Sequence, residues 1–176
     1  MPHIALPPEL PGMRSLLVQY PATGGPLMAL AQTVLRGPSP LSIAERELIG
    51  AWVSVGNHCE YCSRTHGEAA RVLLGDNGFW ADEVFEGTIP PSASELLKGL
   101  LALAEQVRQG NSRGDEVLIT RLKGLGADDQ MIHDTVLIAS SFCLFNRYVD
   151  GLATTRPATL DYPVIGRRLA AQGYSS

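Results

Sequence analysis

Charge is scarce in this chain of 176 residues, and basic runs are missing altogether. The 14 Lys and Arg stand against 18 Asp and Glu for a net charge of -4, and only Arg167 and Arg168 lie side by side. That pattern offers no electrostatic footprint to nucleic acid or to an anionic membrane surface. No apolar run approaches the roughly 18 residues of a spanning helix, and Met1-Pro2-His3-Ile4 lacks the basic region and apolar stretch of a secretory leader. A cytoplasmic protein without membrane or nucleic-acid partners is therefore expected. Cysteine is scarce too: 3 residues cannot build a disulfide scaffold, and in a reducing compartment Cys59-Glu60-Tyr61-Cys62 reads as redox chemistry or metal binding. Period-two alternation is nearly absent, which leaves an all-alpha fold. Gly75, Gly78, Gly124 and Gly126 follow no strand, so they read as helix stops and not as a phosphate-binding fingerprint.

What is present is apolar: 45% of the residues, enough for one domain over 1–176 with a substantial core. A Pro-rich arm, 1–12, leads into a short helix over 13–20, and a clear helical pattern at 27–36 ends at Gly37-Pro38. Ser42 and Glu45 form a capping box for a helix to Gly56, with Ile43, Leu48, Ile49, Trp52 and Val53 as its apolar stripe and Glu45, Arg46 and Glu47 on its polar side. Asn57-His58 interrupts, and the next helix runs over 59–74. A short helix is expected over 80–85, and Ser92 with Glu95 repeats the capping-box signal for a helix to Gln109 that has apolar residues on more than one face. Val117, Leu118 and Leu122 mark a segment over 112–122, Asp128 caps a long helix to about Val149, and the tail 157–176 carries a last short helix. The loosest stretch is 76–92. The low charge density hints that surface is buried against another copy of the chain.

Cys59, Cys62 and His66 sit at offsets that bring both sulfurs and the imidazole to one helix face. In the first turn, free backbone N–H groups and the helix dipole favour a thiolate, and two cysteines there can close a disulfide, one sulfur accessible and the other resolving it. His66 can take and return the proton. If the two central helices form an antiparallel hairpin about Asn57-His58, Glu47 comes back beside His66 and completes a Glu-His-Cys relay. Glu45 is already used by its cap. Three plainer readings compete: ordinary buried thiols, a zinc set of two thiolates, His66 and Glu47, and Glu47 as a solvated helix carboxylate. Cys143 lies in an apolar segment and reads as an inert core thiol, and His133 reads as packed. His58 ends the first helix, and His3 receives no role. Tyr61 contributes a hydroxyl or simply packs.

The segments Leu41-Ser42-Ile43-Ala44-Glu45-Arg46-Glu47-Leu48-Ile49, Val53-Ser54-Val55-Gly56-Asn57-His58-Cys59-Glu60-Tyr61-Cys62-Ser63-Arg64-Thr65-His66 and Phe145-Asn146-Arg147-Tyr148-Val149-Asp150-Gly151 resemble the carboxymuconolactone decarboxylase and AhpD-like alkylhydroperoxidase superfamily, in its peroxidase-related group. The resemblance spans most of 25–155. It implies an all-alpha fold, assembly as a trimer or hexamer, and a helix-borne reaction centre in which Cys62 attacks peroxide, Cys59 resolves it, and His66 and Glu47 relay protons. The pattern departs at Tyr61, where AhpD enzymes place a second relay histidine, so a shorter relay is implied. The decarboxylase branch lacks the cysteine pair, so lactone decarboxylation is not implied.

The expected function is thus a thiol-dependent hydroperoxide reductase with catalytic residues Cys62, Cys59, His66 and Glu47, needing neither cofactor nor metal. An external dithiol, thioredoxin-like or lipoyl-bearing, would regenerate it through Cys59, taken as the more exposed sulfur. The alternatives are a protein disulfide oxidoreductase with little peroxidase activity and a zinc-bound assembly module. Both the arm and the tail are suited to reach a neighbouring subunit.

Overall fold

The computed structural model describes residues 1–110 and 115–174, and among these all regular structure is helical. The helices are α1 (Met13–Gln19), α2 (Pro21–Arg36), α3 (Ile43–Gly56), α4 (Glu60–Leu74), α5 (Trp80–Phe85), α6 (Glu95–Gln109), α7 (Glu116–Gly124), α8 (Asp129–Gly151) and α9 (Tyr162–Gln172). None is long and apolar enough to cross a membrane.

Local chemistry sets most helix starts. Ser42 and Glu45 make the expected reciprocal box, the Ser42 amide donating to Glu45 Oε2 at 2.8 Å and the Glu45 amide to Ser42 Oγ at 3.2 Å. Asp128 accepts from the Met131 amide at 2.7 Å. Three boundaries differ from the expected ones. Helix α2 begins at Pro21 and not near Leu27, because a proline at the first helical position gives up only an amide that a helix start leaves unpaired. Helix α6 is capped by Ser94, whose hydroxyl accepts from the Leu97 amide at 3.1 Å. Ser92 instead accepts from the Trp80 indole at 2.8 Å, so the box with Glu95 does not form. Helix α7 is capped by Asp115, and the start of the expected segment at 112 lies outside the described residues.

The core gathers where α3, α6 and α8 meet, with Leu48, Ile49, Val53, Leu101, Ile138 and Phe142 fully buried. Helix α6 is buried on several sides, as its leucines suggested. The polar side expected for α3 is not a solvent face. Arg46 and Glu47 are both buried, Arg46 donating to the Gly37 carbonyl at 2.9 Å where α2 ends. Residues 76–92 are tied down by Arg71, which forks onto Asp82 at 2.9 and 2.6 Å.

Helices α3 and α4 form the expected antiparallel hairpin, and its turn has a defined chemistry. The His58 amide donates to the Val55 carbonyl at 2.9 Å and the Cys59 amide to the Ser54 carbonyl at 3.0 Å, a paired C-terminal cap. That cap needs a left-handed residue, and His58 supplies it at φ 58° where glycine would be usual. Asn146 of α8 locks the turn from behind, donating to Ser54 Oγ at 3.0 Å and accepting from Asn57 at 2.9 Å.

The N-terminal arm and α9 both fold onto their own chain. The arm hangs on the segment after α8, the His3 amide donating to the Leu152 carbonyl at 3.0 Å and the Gly12 amide to the Thr155 carbonyl at 2.8 Å. Helix α9 lies so close along α4 that a Cβ on Gly166 would stand 2.7 Å from the Glu68 carbonyl carbon.

Candidate active site

The hairpin turn delivers Cys59 to the N-cap of α4 and Cys62 to its first turn, where the free amides gather. Both cysteines are free thiols and both are buried. The neighbouring Cys62 sulfur, together with burial, pushes the Cys59 thiol far above the usual range. Cys59 is thereby held as a protonated donor behind Cys62. Access runs the other way from expectation. Cys59 is completely enclosed by the Tyr61, Val149 and Tyr162 cluster, whereas Cys62 lines a cavity, so Cys59 is not the sulfur that an incoming molecule meets.

Glu47 is fully buried and no part of it is solvated. One oxygen, Oε2, lies 2.7 Å from His66 Nδ1, and the other pairs with Arg36 at 2.6 Å and accepts from the Tyr174 hydroxyl at 2.7 Å. Burial pushes this carboxyl up, but His66, Arg36 and the Tyr174 hydrogen bond outweigh it and hold it below the ordinary glutamate value. An ionised carboxylate only accepts, so His66 carries its hydrogen on Nδ1 and leaves Nε2 as the acceptor. The imidazole is clamped from two sides. Phe142 meets it edge-on at 4.6 Å, and Tyr174 stacks at 6.0 Å with an interplanar angle of 15°. Phe142 fits there because Gly50 of α3 has no Cβ, which would stand 2.2 Å from the ring.

Arg36 and Tyr174 were not expected. Arg36 ends α2 and read only as a helix end, and Tyr174 lies in the tail, without periodicity to mark it. The chain turns at Gly173, with φ 66°, and the Tyr174 amide donates to Gln32 at 2.8 Å, so the ring lies under the Arg36 guanidinium at 5.0 Å. Its hydroxyl also lies 3.0 Å from His66 Nδ1. Burial and the Glu47 charge push the Tyr174 phenol well above 10, so it stays a neutral donor.

Over Cys62 and His66 opens a cavity of about 350 Å³ between α1, α2, α4 and α9, with Leu17, Leu27, Leu35, Phe145 and Ile165 among its walls. Thr65 also lines it, and its buried hydroxyl has no partner. Tyr61 packs its ring against Gly12 and lines the same cavity.

The structure thus gathers Glu47 and His66 in direct contact, with Cys62 on the same cavity wall and Cys59 behind it. Other candidates fall elsewhere. Cys143 is half-buried, 3.6 Å from the Asn57 amide, and is not a fully enclosed core thiol. His133 is exposed and paired with Asp134 at 2.9 Å, because it sits on the outer side of α8, and so is not packed. Among the described residues, no three His, Cys, Asp or Glu side chains are arranged to hold a metal ion. The oxygens of Glu47 are already committed to Arg36, His66 and Tyr174.

The described residues are thus all-helical, with a Cys-x-x-Cys at a helix start and a buried Glu-His pair beside it. The structure is similar to the alkylhydroperoxidase AhpD core of an uncharacterized peroxidase-related protein from Ralstonia eutropha JMP134. That match has a TM-score of 0.80 and 23% identity, covering 90% of this chain and 82% of that one. It is also similar to an uncharacterized peroxidase-related protein from Silicibacter sp. TM1040, with a TM-score of 0.75 and 25% identity over 85% of this chain and 78% of the other. A protein of unknown function from Agrobacterium tumefaciens matches with a TM-score of 0.71 and 19% identity, over 84% and 99%. The chain matches the carboxymuconolactone decarboxylase family over residues 21–106. That segment carries Arg36, Glu47, Cys59, Cys62 and His66, whereas Arg14, Asn146, Arg168 and Tyr174 lie outside it. No curated protein matches the chain in sequence.

Proposed function

We propose that the chain is a thiol-dependent hydroperoxide reductase. The observation that carries this reading is the placement of Cys62 on an apolar cavity beside a histidine whose Nδ1 is held by a fully buried, ionised Glu47. His66 Nε2 takes the proton of the Cys62 thiol, the thiolate attacks the distal oxygen of ROOH, the O–O bond breaks, the leaving alkoxide takes that proton back from His66 and departs as ROH, and Cys62 becomes a sulfenic acid. The protonated Cys59 then attacks that sulfur, forming the disulfide and releasing water. Glu47 orients His66 and offsets its positive charge, and Arg36 and Tyr174 act through Glu47 as positioning residues. Tyr174 thus supports the relay from the turn after α9, not from position 61 on α4 where AhpD enzymes are implied to place a second histidine.

Regeneration consumes one external dithiol, which leaves as its disulfide. With Cys59 enclosed, the reductant attacks Cys62 through the cavity, which favours a slender dithiol such as a lipoyl arm over the broad face of a thioredoxin-like domain. The same burial disfavours protein disulfides as substrates. The reading places the protein in the reducing cytoplasm, as a homo-oligomer of three or six chains supported by Leu137 and Leu144 exposed along α8. A monomeric mass in solution would remove that assembly.

The test is peroxide consumption by the reduced protein in Cys62→Ser and Cys59→Ser. The first should abolish turnover. The second should consume a single equivalent and stop at a sulfenic acid trappable at Cys62. Undiminished consumption by Cys62→Ser would refute the assignment.

A further inference from the structure

The cavity over Cys62 carries a charge pattern that peroxide chemistry alone does not require. Its walls are aliphatic and aromatic, and no Asp or Glu lines it. Two guanidiniums do: Arg14 from α1 and Arg168 from α9. Both are exposed, and neither has an acidic partner among the described residues, whereas Arg36, Arg64, Arg71, Arg108, Arg121 and Arg156 all meet carboxylates. The two converge on one spot. Tyr61, buried on the cavity wall, has its phenol pushed up by burial, by Cys62 and by Tyr162, and Arg14 and Arg168 both lie near enough to counter this. The chain as a whole carries -4, so a mouth with two unpaired positive charges runs against its average. Inside, the buried Thr65 hydroxyl still lacks a partner.

An apolar chamber of about 350 Å³ with a cationic rim and one orphan hydroxyl has the chemistry of a site for an anionic amphiphile. A neutral alkyl ligand would leave both guanidiniums idle. A small anion would leave the chamber empty, and a polyanion would find no donors beyond the rim. We propose that the cavity binds a straight-chain carboxylate. Its chain lies among Leu17, Leu27, Met28 and Phe145 toward Cys62, and its head is held at the surface by Arg14 and Arg168. On the peroxidase reading above, which this inference deepens, the substrate is then the hydroperoxide of such an acid, with the peroxide placed along the chain and not at the head.

Binding is read without turnover by protection of Cys62. Reduced protein is alkylated with iodoacetamide in the presence of decanoate or of 1-decanol, and modification of the peptide holding Cys59 and Cys62 is followed by mass spectrometry. Decanoate should protect Cys62 saturably, at concentrations roughly tenfold below those of decanol. In Arg14→Gln/Arg168→Gln that preference should collapse toward unity, and raising the salt should erode it in the natural protein. Equal protection by acid and alcohol, or a preference untouched by the double substitution, would overturn the proposal; so would failure of decanoate to protect. Parallel oxidation of the same protein by a carboxylate hydroperoxide and by its methyl ester separates the two claims. Protection by decanoate with no oxidation by either hydroperoxide would retire the peroxidase reading and leave the carboxylate site standing.

Discussion

The hairpin of α3 and α4 and the terminal helices α1 and α9 meet at the same cavity but are built on different principles. The hairpin is determined locally. A capping box starts it, a paired C-terminal cap turns it, and the cysteines, Glu47 and His66 follow from helical spacing. The terminal helices are determined only by what they touch. Helix α9 is positioned by the missing Cβ of Gly166, and Tyr174 by a turn at Gly173 and by Arg36 and Glu47. The proposed reactive groups lie on the self-specified element, and the groups that enclose them lie on the dependent ones. This division also follows the family match, which covers the hairpin and neither terminal helix.

The largest break in that division should come from removing the group on which both parts converge. Glu47→Ala leaves Arg36 buried without its counter-charge and should destabilise the fold by about 3–5 kcal/mol, measured by urea unfolding. Glu47→Gln keeps the shape, should slow sulfenic-acid formation on the order of 100-fold, and should still permit the disulfide. An unchanged pH–rate profile would take Glu47 out of the mechanism.

Next is Gly166→Val, which forces branched carbons against the α4 backbone and should cost about 1–3 kcal/mol while loosening Tyr174. If the rate falls no further than in Tyr174→Phe, α9 serves the relay through that one hydroxyl. Tyr174→Phe itself should lower the rate by about tenfold and displace the pH profile, with the fold intact by circular dichroism.

Acid should reveal the same junction. The Glu47 carboxyl lies below its ordinary 4.5 in the folded chain, so ionisation favours folding; this contribution is complete above about pH 4.5 and is lost as pH falls through the lower, folded value. The difference in thermal midpoint between the natural chain and Glu47→Gln should therefore shrink below pH 4.5. The smallest expected effect is local to the hairpin: His58→Gly relieves a left-handed non-glycine residue and should stabilise by up to about 1 kcal/mol.

The same contrast explains what could be read in the sequence. The all-helical class, the Ser42 box, the hairpin and the approach of Glu47 to His66 rest on short-range spacing, and all are present in the structure. Ser92-Ala93-Ser94 offered two serines within reach of the same helix start, and the choice was made by the Trp80 indole, which no local pattern contains. Both sulfurs are buried, but Cys59 is closed off from the cavity that Cys62 lines, within a cluster that includes Tyr162 and Val149, far along the chain. Tyr174 reaches Glu47 across 127 positions, and the tail that carries it read as an arm for a neighbour.

The position of the two sulfurs within a single helical turn also bears on the energetics of the cycle. A cross-link between Cys59 and Cys62 closes a ring of only four residues, for which the chain-entropy gain is roughly 2 kcal/mol, against about 3 kcal/mol for a fifteen-residue loop. Oxidation therefore adds about 2 kcal/mol to the stability of the chain, and by linkage the folded scaffold favours the disulfide by the same amount. On the proposed cycle the short loop keeps that bias about 1 kcal/mol smaller than a fifteen-residue loop would impose, while the core and the junction at Glu47 hold the fold in either redox state.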